Sequence, residues 1–76
     1  MIFKMWKRRK LKKKISELEI SIARVTAMIL SNKRLLSSTY GEFNISRLAL
    51  ENESLEREKI TLESELTNLR QKLSKL

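Results

Sequence analysis

Leucine stands at positions 48, 55, 62, 69 and 76, five times at a spacing of seven. A side chain repeated every seven residues returns to the same side of a helix after two turns. This spacing therefore commits the second half of the chain to a helix with one apolar ridge. The full seam runs Ile45, Leu48, Asn52, Leu55, Lys59, Leu62, Leu66, Leu69, Leu73, Leu76 in alternating steps of three and four. An earlier seam has the same alternation: Leu11, Ile15, Leu18, Ile22, Val25, Ile29, Asn32, Leu36. Pro is absent and Gly occurs once, a composition that suits long helices and gives a sheet no turns. The fold class expected is all-α.

The two seams do not join. Leu36 and Ile45 are nine residues apart, and an unbroken helix would carry the stripe round by roughly half a turn between them. The intervening SSTYGEFN holds the only glycine, and either Thr39 with Glu42 or Asn44 is placed to cap a new helix. The reading is a basic arm over 1–14 that extends the first helix, helix 1 over 15–37, a turn over 38–44 and helix 2 over 45–76. So short a turn favours a helical hairpin, two antiparallel coiled-coil helices with facing seams. Folding about residue 42 pairs Ile29 with Leu55, Ile22 with Leu62, Ile15 with Leu69 and Leu18 with Leu66. It also brings Asn32 opposite Asn52, two polar residues in one layer of an apolar seam that could satisfy each other and fix the register. The flanking charges oppose this register, since it sets Glu19 near Glu63 and Lys14 near Lys72.

A parallel zipper through helix 2 alone is the rival. It would oppose Glu51 to Glu56 and Glu58 to Glu63 and bury Lys59 in the seam, so it is disfavoured. Leucine heptads beside a basic run also invite comparison with the basic-leucine-zipper family. There, however, the basic region runs straight into the zipper, whereas here more than thirty residues and a turn separate Lys14 from Leu48, and KRRKLKKK has no counterpart of that family's base-reading Asn. Nothing is carried over from it.

A chain of 76 residues rarely builds a core worth more than ~3–5 kcal/mol without a disulfide, a metal or a partner. It has no Cys and no His, so neither a disulfide nor a zinc site is expected, and no cofactor. Self-association is what remains. Ile20, Met28, Leu30, Leu35, Leu50 and Ile60 lie off both seams, more apolar surface than one helix pair buries, and they point to a homo-oligomer, a dimer or larger helical bundle. Catalysis is not expected: the serines have no histidine or other base nearby, and no glycine loop for phosphate is present.

The charge of +8 is uneven. Residues 1–36 hold eleven Lys or Arg against two Glu, and residues 37–76 hold six against seven. The candidate binding residues are Lys4, Lys7, Arg8, Arg9, Lys10, Lys12, Lys13 and Lys14, preceded by an apolar tip of Ile2, Phe3, Met5 and Trp6. As a helix, residues 7–14 are positive on every side, which no packed seam can hold, so the coiled coil is expected to end near Leu11. Seven cations in eight residues suit sequence-independent phosphate binding, with Trp6 able to stack on an unpaired base, and nucleic acid is the first expectation. The tip beside a polybasic run also suits an anionic membrane. A groove on a partner protein within a larger assembly is the third reading, in which the chain is an inhibitor or adaptor. No stretch approaches the ~20 apolar residues of a membrane span, and the apolar residues precede the charges, the reverse of a secretory signal. A cytoplasmic or other intracellular protein is expected, soluble or peripherally attached.

Overall fold

The computed structural model describes residues 2–38 and 42–76, with side chains described for 3–37 and 45–76. They form two helices packed side by side, α1 Ile2–Ser38 and α2 Glu42–Ser74. The protein is an antiparallel helical hairpin, a rod measuring 61 × 14 × 12 Å. Nothing in either helix interrupts the backbone ladder. Thr26, Thr61 and Thr67, poor helix formers, each turn the hydroxyl back onto the carbonyl four residues earlier, at 2.8, 3.1 and 3.0 Å. At its end α2 tightens: the Lys75 N–H is shared between the Gln71 and Lys72 carbonyls, and the Leu76 N–H bonds to Leu73. Carbonyls that an α-helix leaves open are satisfied this way.

Both helices reach past the expected limits. Ser38 belongs to α1, and α2 begins at Glu42, so Asn44 lies inside the helix and does not cap it. The centre of the expected turn, with Thr39, lies outside the described residues. The arm is a continuation of α1.

Burial follows the seams. Ile15, Val25, Ile29, Leu55 and Leu66 are buried, and Leu11, Leu18, Ile22, Leu36, Leu48, Leu62, Leu69, Leu73 and Leu76 are half-buried. Val25, Ile29 and Leu55 form the central cluster, with Leu62 packed on it, which is the register that pairs Ile29 with Leu55. Ile45 departs from the pattern and is exposed. Its counterpart in this register is residue 39, outside the described residues.

The asparagine layer differs from the direct amide pair that the seams imply. Asn52 is the one buried polar residue among those described, and its Nδ2 donates to the Ile29 carbonyl at 3.4 Å. A helical carbonyl points toward the residue four ahead, so Asn52 reaches the turn that carries Asn32. Asn52 Oδ1 and Asn32 Nδ2 are buried with no partner. One is an acceptor and the other a donor.

The like-charge clash of the flanks does not arise. Glu19 meets Arg70, whose Nη2 lies 3.1 Å from its Oε1. Glu63 is two turns nearer the loop than Arg70, so Glu19 lies between two neighbours on the partner helix and takes the cation. Lys14 and Lys72 border one groove, with Glu17 and Glu65 between them.

Candidate functional site

The arm is the first part of α1, of which residues 8–14 run beside the end of α2 and residues before Arg8 project past it. Pairing runs one turn further than expected, because Arg8 Nη2 donates to the Leu76 carbonyl oxygen at 2.8 Å. Arg8 stands at a seam position by extrapolation from Ile15, too polar to bury, and it caps the end of α2 instead. The negative end of the α2 macrodipole lies there, so a guanidinium is well placed.

Beyond Arg8 the tip is open to water. Phe3 is 67% exposed, Met5 59% and Trp6 57%. The side chain of Ile2 lies outside the described residues. Phe3, Met5 and Trp6 lie on the side of α1 turned away from the seam, so the hairpin has no means of covering them. Two lysines cover them in part: Lys7 Nζ sits 4.9 Å above the Phe3 ring and Lys10 Nζ 5.0 Å above Trp6. Both contacts span four residues along the helix, the spacing that stacks side chains on one face, and at exposed sites each is worth ~0.5–1 kcal/mol. That i, i+4 spacing was readable in FKMWKRRK.

Among the described residues no arm cation meets a carboxylate; the ion pairs are Glu53 with Arg57 and Glu19 with Arg70. Lys7, Lys10 and Lys14 surround a groove of about 210 Å³ with Leu11 in it. Lys4, Arg9, Lys12 and Lys13 are exposed around the rest of the helix. Positive charge thus stands on all sides of the helix, with one shallow concavity.

The larger groove, about 510 Å³, runs between α1 and α2 with Leu18 and Leu69 in its floor and Lys14, Glu17, Glu65 and Lys72 along it. Its alternating charges and open side give it neither a net field nor a means of excluding water. Among the described residues no cluster of acidic side chains could hold a metal ion, and no helix is long and apolar enough to cross a membrane. Comparison with protein families, curated proteins and solved structures finds no match.

Proposed function

We propose that the protein is a non-enzymatic, self-associating helical hairpin that attaches through residues 4–14 to an anionic surface, and that this surface is nucleic acid bound without sequence specificity. The supporting observation is the arm's excess of cations: Lys7, Lys10 and Lys14 around one groove, further cations on the remaining faces, and, among the described residues, no ion pair to any of them. A helix charged all round can be enveloped by a phosphate backbone, and each phosphate neutralised steepens the fall of log affinity with log salt by about 0.9. The arm has no Asn or Gln, and of its two arginines Arg8 is taken by the Leu76 carbonyl, so it offers little from which a base pair could be read.

A second reading rests on a different observation. Phe3, Met5 and Trp6 are exposed together at the outer end of the rod, ahead of the cations, which is also the arrangement of an anchor dipping into an anionic membrane.

One experiment separates them. The seven residues Lys7, Arg8, Arg9, Lys10, Lys12, Lys13 and Lys14 are replaced by Gln, and in a second variant Phe3, Met5 and Trp6 by Ser, and each is titrated against single-stranded DNA and against anionic vesicles at several salt concentrations. For nucleic acid, the Gln variant loses binding and its salt slope flattens by several units, while Trp6→Ala costs ~1–3 kcal/mol, the value of one stacked base. For a membrane, the Ser variant loses attachment and salt matters less. If neither variant changes either titration, the arm is a solvated helix end and the proposal fails.

A further inference from the structure

Off the seam, α1 carries Ile20, Ala23, Ala27 and Leu30 in steps of three, four and three. All four are exposed, Ile20 at 58% and Leu30 at 55%. The steps match those of the seam, so these residues make a second stripe, centred roughly 150° from the seam, with Leu30 at its edge also bordering a groove shared with Ile60 of α2. We infer that this stripe is the face on which a second copy of the chain docks, α1 against α1 and antiparallel about a two-fold axis near residue 25. The inference deepens the self-association in the reading above and is independent of which anionic surface the arm meets.

The stripe reads the same in both directions. Large, small, small, large is symmetric about residue 25, so the two-fold sets Ile20 against Leu30 of the second copy and Ala23 against Ala27 of it. A two-fold interface must be self-complementary in this way. The alanines in the middle let the two backbones approach toward the close end of the 8–10 Å range of helix packing, and the larger residues at each end close the gap. Charge agrees with the direction. Glu19, which already meets Arg70 of its own chain, falls nearest Lys33 of the second copy, and the symmetry repeats that proximity. Arg24 meets its own copy near the axis, and its length lets the guanidinium turn to water. A parallel pairing would instead set Glu19 against Glu19 and lay the two seven-cation arms side by side.

There is surface enough to cover. The chain exposes 6433 Å², whereas a compact fold of 9.0 kDa would expose about 4,850 Å². The difference, about 1,600 Å², is twice the ~800 Å² that each partner gives to a stable dimer. An antiparallel dimer also answers whether the protein blocks or bridges. With the axis at residue 25, the two Arg8 residues lie about 50 Å apart at ~1.5 Å per residue, at opposite ends of the assembly. Two anionic surfaces could then be held at once.

The test uses the whole chain, which has no cysteine of its own. The hairpin Ala23→Glu/Ala27→Glu is compared with wild type by sedimentation at tens of micromolar, with a Leu50→Glu variant on α2 as the control. The expected result is a wild-type dimer, a dimeric control, and a helical monomer for A23E/A27E, its dissociation constant raised at least a hundredfold. Separately, A23C and A27C chains are mixed and oxidised. Random pairing of equal amounts already makes the mixed disulfide twice either homodisulfide, so the expected result is a mixed disulfide well above that ratio, since only opposed residues come within the 4.4–6.8 Å between Cα atoms that a disulfide spans. A dimer that survives A23E/A27E overturns the docking face while self-association stands. A23C homodisulfides in excess overturn the antiparallel direction. Wild-type chain that sediments as a monomer removes both this inference and the self-association on which it rests.

Discussion

Replacing Asn32 and Asn52 together by leucine should make the hairpin much more stable, and by more than the two single changes added. Asn32 Nδ2 and Asn52 Oδ1 are buried without partners, and each such atom costs about 1–3 kcal/mol. Against this the layer gains one bond, Asn52 Nδ2 to the Ile29 carbonyl at 3.4 Å, long for its kind and worth at most about 1 kcal/mol. Removing both amides therefore recovers about 1–5 kcal/mol before any gain from packing leucine in their place. Each single change leaves one amide facing a hydrocarbon, so the pair should show a coupling of about 1 kcal/mol. At the upper end a hairpin worth ~3–5 kcal/mol would be doubled in stability, and at ~4–8 °C per kcal/mol its Tm would rise by about 4–40 °C. The assay is a double-mutant cycle from urea unfolding, followed by helical circular dichroism at one fixed chain concentration, because association contributes to stability. Single changes that add to within ~0.5 kcal/mol would show that the two residues do not share a layer. A double variant no more stable than wild type would show that the amides are satisfied in solution.

The remaining predictions concern the core and its flank. Ile29, the most buried residue at 6% exposure and central to the cluster with Val25 and Leu55, should cost ~2–5 kcal/mol as Ala, enough to leave the chain mostly unfolded at 25 °C by circular dichroism. The Glu19–Arg70 pair is half exposed on both sides, so Arg70→Gln should cost no more than ~1 kcal/mol at low salt and nothing measurable in 1 M NaCl.

The fold was largely legible because its two signals are periodic. Every seam position among the described side chains is buried or half-buried except Ile45, which shows how strongly a 3.5-residue repeat constrains a helix pair. Boundaries were less legible, since Ser38 and Glu42 carry no periodic signal and helix ends depend on local bonds. The contacts that sequence reasoning missed are of two kinds. Arg8 lies opposite Leu76 in the same register that pairs Ile15 with Leu69, and was missed because the seam was expected to end near Leu11. Glu19 to Arg70 depends on a long side chain reaching along the partner helix, which a pairing of seam positions does not represent. The amide layer shows the same limit: the seams predict that Asn32 and Asn52 share a layer, but which atom bonds to which is settled by rotamers within it.

The arm's cations are costly to α1, and among its charged residues Arg8 alone bonds within the hairpin. Its cations occupy the first four turns of a helix whose first turn has no acidic residue, at the positive end of the macrodipole, where a cation costs ~0.3–1 kcal/mol instead of adding to stability. The antiparallel fold relieves part of this by laying the negative end of α2 alongside, where Arg8 takes the Leu76 carbonyl. Lys12, Lys13 and Lys14 are left exposed with no ion partner among the described residues. An external polyanion would relieve what remains, and by linkage it must then stabilise the fold. At a hundred times its dissociation constant the gain is about 2.7 kcal/mol, or a rise in Tm of ~11–22 °C. Thermal unfolding with and without inorganic polyphosphate measures this, and the gain should shrink steeply between 50 and 200 mM salt. The seven-Gln variant should begin at a Tm equal to or above that of wild type and show no response to polyphosphate. A variant that starts lower would mean that the arm serves the fold after all.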